Sequence, residues 1–160
     1  MPADMKLARL RPCPVPLYRH LYAQVGGEYL WWMRRAQTDV EIGLHLANSL
    51  VDVLVLVRSS EVLGFVELDY RPVVTVNIAY FGLMKGMIGQ GLGLPFLHAA
   101  LIHAWSRKPR AVTVNTCNAD HPNALPTYLK AGFTIVRTVD EIWDIPDRIG
   151  ISVPERLRIA

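Results

Sequence analysis

Between Val74 and Trp105 the chain passes from a β-rich run, Val74 to Met84, through Ile88-Gly89-Gln90-Gly91-Leu92-Gly93, into an apolar helical pattern, Leu94 to Trp105. A strand that feeds a glycine-rich turn and then a helix start is an anion-binding device. The glycines let the backbone bend and come close to a ligand, and the first helical turn presents N–H groups that have no partner inside the helix. Spacing excludes two common versions of the device. A P-loop requires Gly-Lys-Ser/Thr, which the chain lacks, and a dinucleotide fingerprint requires Gly-x-Gly-x-x-Gly. Counted from Gly89, its third glycine would fall on Leu94; counted from Gly91, it would fall on Phe96. The glycines alternate instead at 89, 91 and 93, a spacing also compatible with plain turn chemistry at a strand–helix junction.

A second block lies downstream: Asp120-His121-Pro122-Asn123-Ala124-Leu125-Pro126-Thr127-Tyr128, followed by Ala131-Gly132-Phe133. Two blocks in this order are far more specific than either alone. Together they resemble the GNAT superfamily of N-acetyltransferases. The first block takes the register of that family's acetyl-CoA signature, Gln/Arg-x-x-Gly-x-Gly/Ala, over Ile88 to Gly93. The second resembles the later helix with Ala-x-x-x-Tyr and the Gly-Phe that opens the last strands. The resemblance covers Val62 to about Val136 and is weak before Leu50 and after Val139.

The resemblance implies transfer of an acetyl group from acetyl-CoA, as cosubstrate, to a primary amine by direct attack, with a small-molecule acceptor. The alternative is an acetyl-CoA-binding module with little or no catalysis. The pyrophosphate would rest on backbone amides of Ile88, Gly89, Gln90, Gly91, Leu92 and Gly93. The pantetheine arm would pair like an added strand with main chain from Phe81 through Leu83 to Lys85. Ile88 stands where the family shows Gln or Arg, which removes a side-chain contact but no amide. Gln90 is a candidate replacement donor, and Lys85 a source of positive charge near the phosphates. Tyr128 is the candidate acid that gives a proton to the departing thiolate. Many relatives place a glutamate on the strand before the turn, but the corresponding position here is Asn77. Glu67 and Asp69, one strand earlier, are the nearest carboxylates and share one strand face. Glu67 is therefore the candidate base, acting through a water oriented by Asn77. Asp120 reads as a helix N-cap that can also touch the pantetheine.

The other features bound the reading. At 160 residues with 51% hydrophobic content, the chain is long and apolar enough for one domain over 1–160 with a sizeable core. A net charge of +3 with scattered basic residues argues against nucleic acid as a partner. Cys13 and Cys117 have no metal spacing and, with no secretory signal read, point to reduced thiols in a cytoplasmic protein. His20, His45, His98, His103 and His121 include no pair at metal spacing, so no metal is expected. Gly86 to Ser106 carries no charged side chain, but its early part is turn-like and the apolar remainder is too short to span a membrane. Family members often dimerise, and apolar C-terminal strands would supply an interface for a homodimer.

Periodicity places strands at Lys6 to Arg11 and Asp52 to Arg58, and a hairpin of Val62 to Tyr70 with Val73 to Met84. Further β structure is predicted at Ala111 to Cys117 and within Thr134 to Ile145. Helices are predicted at Leu17 to Val25, from the capping box Thr38-Asp39-Val40-Glu41 to about Asn48, at Leu94 to Trp105, and at Pro122 to Ala131. Trp31, Trp32 and Met33 suit either core or one wall of an acceptor pocket. The mixture gives an α/β class of the α+β type: a mixed, largely antiparallel central sheet flanked by helices.

Overall fold

A computed structural model describes residues 2–158. Five strands form one sheet in the order β1 (Met5–Leu10), β2 (Val51–Arg58), β3 (Glu61–Asp69), β4 (Thr75–Leu83) and β5 (Ala111–Val114). The first four are antiparallel to their neighbours, and β5 runs parallel to β4. The α/β class with a largely antiparallel sheet is therefore as the sequence indicates. Among the described residues no helix is long and apolar enough to cross a membrane.

Helices cover both faces of the sheet, which explains why β2 is buried at every position from Val51 to Leu56. On one face Leu54, Leu56, Val66, Leu68, Val76 and Ile78 pack with α4 (Gly93–Trp105) and with Tyr128 of α5 (Ala124–Lys130). α4 contributes Phe96, Leu97, Ala100 and Ala104, a helical spacing that keeps one stripe against the sheet. On the other face Val53, Val55 and Phe65 pack with Tyr18, Leu21, Tyr22 and Val25 of α1 (Val15–Gly26) and Ile42 of α3 (Asp39–Ala47). The short α2 (Met33–Ala36) lies between these two helices in sequence. The capping box forms: the Thr38 hydroxyl accepts from the Glu41 amide, and the Glu41 carboxylate accepts from the Thr38 amide at 2.7 Å.

Most boundaries move by one or two residues from the sequence reading, and three differences are structural. β5 stops at Val114 rather than Cys117, because Asp120 gathers the Thr116 hydroxyl and the Cys117 amide into a turn. α5 begins at Ala124 rather than Pro122, with Asn123 as its N-terminal boundary residue. Pro126 consequently falls in the first helical turn, where its missing N–H removes no intrahelical bond, so the helix runs on unbroken. The third difference is larger. The strands predicted within Thr134 to Ile145 are absent, and every residue from Thr134 to Asp144 is exposed. Ile135, Val136, Val139 and Ile142 are 55–90% exposed. β propensity there meets no ladder partner and no face to bury, and propensity alone does not hold a strand in water.

Candidate functional site

The pairing of β4 with β5 extends from Thr75↔Ala111 to Ile78↔Val114 and no further. β4 itself continues to Leu83. At the point of divergence β4 carries a bulge: Glu67 faces Tyr80 and Leu68 faces Ile78, so Ala79 has no opposite residue on β3. Beyond it, Phe81, Gly82 and Leu83 still pair with Val66, Phe65 and Gly64 on one side. Their other edge has no strand partner among the described residues. An edge of this kind leaves backbone donors and acceptors for an extended ligand to use.

The chain then enters the glycine turn. A short 3-10 turn, Lys85–Met87, closes with the Met87 amide donating to the Met84 carbonyl at 2.8 Å, and Ile88 follows in extended conformation. Gly89 and Gly91 have φ of +84° and +72°, which side chains with a Cβ rarely adopt. A Cβ on Gly89, Gly91 or Gly93 would meet nothing within 4 Å, so the space beside the turn is open and conformation is what requires glycine at 89 and 91. The amides of Gly89 through Leu94 donate to no acceptor among the described residues, and Leu92 supplies no side-chain cap to α4. Six consecutive free amides at a helix start, beside an open strand edge, fit a ligand that joins phosphates to an extended amide-bearing arm, as coenzyme A does.

The side chains around the turn are less free than their amides. The Gln90 Nε2 donates to the Gly86 carbonyl at 2.8 Å and braces the turn from within. Lys85 pairs its ammonium with Glu28, both groups exposed. Ile88 is 38% exposed and borders a shallow cavity of about 170 Å³ shared with Ala23, Gln24, Tyr29 and Lys85.

Tyr128 stands on α5 opposite the free edge. Its ring lies 6.2 Å from Phe81, which is on the unpaired stretch of β4, and 5.9 Å from Phe133. The residue is 7% exposed, and burial followed by the nearby Asp120 charge raises its phenol well above the ordinary value. Asp120 is not the N-cap of α5. Its carboxylate accepts from the Thr116 hydroxyl at 2.9 Å, the Cys117 amide at 3.2 Å and the Trp31 indole at 3.3 Å. The indole contact, with Tyr29 edge-on to His121 at 6.2 Å, ties the α1–α2 loop to the β5–α5 loop.

Sequence could not fix whether Glu67 and Asn77 share a face. The register does: Asn77 lies opposite Asp69, and Glu67 opposite Tyr80, all on the α1 face. The two do not act as a pair, however. The Asn77 carbonyl oxygen accepts from the Thr113 hydroxyl at 3.2 Å. Glu67 is fully buried, and both carboxylate oxygens are engaged. Oε2 accepts from the Tyr18 hydroxyl, while Oε1 lies 2.8 Å from both Arg34 Nη2 and His45 Nε2. Burial pushes this carboxyl up, but the His45 bond, the Arg34 charge and the Tyr18 bond outweigh it, leaving the group below the usual carboxylate range. Proton acceptance by Glu67 through a water oriented by Asn77, expected from sequence, does not fit this geometry: both carboxylate oxygens are engaged, the Asn77 side-chain oxygen is turned to Thr113, and the group is a weakened base.

Sequence reasoning also missed the residues that surround Glu67. The Arg34 guanidinium sits 5.4 Å from the Tyr80 ring, and Tyr22 packs edge-on to Tyr80 at 4.9 Å. Trp31 lies 5.0 Å from Tyr80 and 5.3 Å from Tyr22, and Trp32 meets Trp143 at 6.3 Å. The only available signal was that Tyr18, Tyr22 and Val25 repeat at helical spacing, which marks a buried stripe but not its polar partners. Among the described residues no group of three or more His, Cys, Asp or Glu is placed to hold a metal ion.

No protein-family model matches the chain, and no curated protein matches it in sequence. Solved structures do match it. An aminoglycoside acetyltransferase, meta-AAC0020 from an uncultured soil metagenomic sample, superposes with a TM-score of 0.68 at 16% identity over 88% of this chain and 95% of that one. AAC(6')-Iy, solved with a bisubstrate analogue of coenzyme A and acetylneamine, gives 0.69 at 12% identity over 89% and 99%. An IAA acetyltransferase from Bacillus cereus ATCC 14579 gives 0.62 at 19% identity over 83% and 79%. With its open β4 edge, its glycine turn and these neighbours, the chain has the fold of the GNAT acetyltransferases.

Proposed function

We propose that the protein is an acetyl-CoA-dependent N-acetyltransferase acting on a small primary amine. The observation that carries this reading is the open edge of β4 followed, after the short turn at Lys85–Met87, by six amides without protein acceptors. On this reading the main chain of Phe81, Leu83 and Lys85 pairs with the pantetheine arm, and the free amides from Gly89 to Gly93 hold the pyrophosphate; the Ile88 amide, expected from sequence to join them, already donates to the Lys85 carbonyl at 3.3 Å. The bound coenzyme supplies an acetyl group activated as a thioester. The neutral amine nitrogen attacks the thioester carbonyl, the carbon–sulfur bond breaks, and Tyr128 gives its phenolic proton to the departing sulfur. The proton lost from nitrogen passes through water and restores Tyr128. The Tyr128 phenol is protonated near neutrality and so has a proton to give, while burial and the Asp120 charge make it a weaker acid than a free phenol.

Glu67 enters this proposal as a positioning residue. It fixes Arg34, Tyr18 and His45, and through Arg34 the ring of Tyr80 beside the bulge. Asn77 ties β4 to β5 through Thr113 just before the two strands part, and Asp120 holds the loop beyond β5 through Thr116 and Cys117.

Calorimetric titration with acetyl-CoA, followed by release of free thiol in the presence of a panel of primary amines, tests the reading. Binding with amine-dependent thiol release is the expected result; the absence of acetyl-CoA binding would sink it. The engaged carboxylate of Glu67 gives specific weight to a second reading, a coenzyme-binding module without turnover. Tight binding with no thiol release on any amine selects that one.

A further inference from the structure

α1 and α2 enclose a groove of about 260 Å³ lined by Arg19, Tyr22, Ala23, Arg34 and Arg35. Three guanidiniums thus meet in one small space with no acidic residue in its lining. Two of them are compensated from outside the groove. Arg19 donates to the Asp39 carboxylate at 2.6 Å and to the Gln37 carbonyl at 2.7 Å. Arg34 is consumed by Glu67, the Tyr18 hydroxyl at 3.1 Å and the Gln37 side-chain oxygen at 3.2 Å. Arg35 has no such partner: no carboxylate lies within salt-bridge distance and no acceptor meets its donors among the described residues. Its side chain is half-buried and rests against the end of α1, with Nη2 3.9 Å from where a Cβ on Gly27 would stand.

We propose that this groove binds an anionic group, a carboxylate or a phosphate, carried by the acceptor amine, with Arg35 as its anchor. The proposal rests on the acetyl-transfer reading for the acceptor's other end. The charges in and around the groove leave one positive charge uncompensated, and it sits on the one guanidinium with its planar fork of donors free. That fork matches the two oxygens of a carboxylate or phosphate, and such charge-assisted pairs are the strong ones. The groove also connects to the β4 bulge through one aromatic contact. Tyr22 lines it and packs at 4.9 Å on Tyr80, next to the bulge where β4 loses its partner. A short amine with an anionic tail therefore finds its charge partner one aromatic side chain away from the free edge. A competing role for Arg35 is to complement the negative end of the α1 macrodipole, which needs no ligand.

Matched probes separate these. Lysine is compared with lysinamide, and O-phosphoethanolamine with ethanolamine, as acceptors for the wild type and for Arg35→Gln and Arg35→Lys. One charge-assisted contact is worth about tenfold in affinity. The expected result is a KM about tenfold lower for the anionic member of at least one pair, with the pair that shows it naming carboxylate or phosphate. Arg35→Gln should erase that preference while leaving kcat/KM for the neutral member within about twofold, and Arg35→Lys should keep part of it, because charge remains without the fork. Equal KM values within both pairs in the wild type, or a preference that survives in Arg35→Gln, overturn the proposal. So does a lowered melting temperature in Arg35→Gln with the preference intact, which is the helix-end role alone. If no amine is acetylated, titration calorimetry with lysine and O-phosphoethanolamine decides. Binding to the wild type that Arg35→Gln abolishes supports the anion site, although the transferase reading fails; no binding overturns the site as well.

Discussion

Tyr128 keeps its proton because its ring is buried between Phe81 and Phe133 and because Asp120 is near. Tyr128→Phe retains the ring and removes only the hydroxyl. Its kcat is expected to fall by about 10²-fold, in the range for loss of a positioned acid, with the Kd for acetyl-CoA nearly unchanged. Steady-state kinetics beside calorimetry read both. Glu67→Gln tests the opposite kind of residue. Replacing the carboxylate leaves Arg34 without its counter-charge in a buried network and should cost about 3 kcal/mol of stability at pH 7, read from urea unfolding. The folded carboxyl lies below its unfolded value, so its contribution is complete above the unfolded pKa of about 4.3 and is lost as pH falls through the lowered folded value. The difference between wild type and variant should therefore shrink in acid and hold steady above neutrality. The place of Tyr128 on α5 was legible in the sequence because the block around it carries its context locally. The fate of Glu67 was not, because Tyr18, Arg34 and His45 reach it from three helices far away in the chain.

At the scale of elements, the strands of the central sheet were readable because β2, β3 and β4 alternate or run apolar over lengths that only a strand satisfies. The glycine turn was readable because Gly89, Gly91 and Gly93 interrupt an apolar pattern at one place. Gly91→Ala is a clean test of what the turn needs. The added Cβ meets no atom within 4 Å, but φ at +72° opposes it. The backbone should relax at an expense of about 1–2 kcal/mol and misdirect the neighbouring amides. Acetyl-CoA affinity is expected to drop by tenfold or more while the melting temperature changes by only a few degrees, seen by calorimetry and thermal melts. The segment from Thr134 to Ile145 shows where such reading stops. Its composition favours strands, yet strand formation is decided by whether an edge is within reach, and nothing in the local pattern encodes that.

Over the whole molecule, the two faces of the sheet are secured differently. The α1 face is organised around Glu67, while the α4 face closes at its end on Asp52. Asp52 is 1% exposed and is held by Arg9 of β1, by His103 of α4 at 3.0 Å and by Arg107 just beyond α4 at 3.1 Å. Arg107 in turn stacks 3.9 Å above the Tyr70 ring. Asp52→Asn removes the charge that joins β1, β2 and the end of α4. It should lower global stability by about 3 kcal/mol, visible as a lower denaturant midpoint at constant m-value, without altering acetyl-CoA affinity. The bulge at Ala79 has a consequence of another kind. A sheet whose last two strands, β4 and β5, part after four paired residues carries an unfinished seam beside its edge. Whatever molecule closes that seam supplies hydrogen bonds that the chain does not make for itself, so its supply governs how often the end of β4 breathes, and amide exchange at Phe81 to Leu83 becomes a gauge of occupancy in solution.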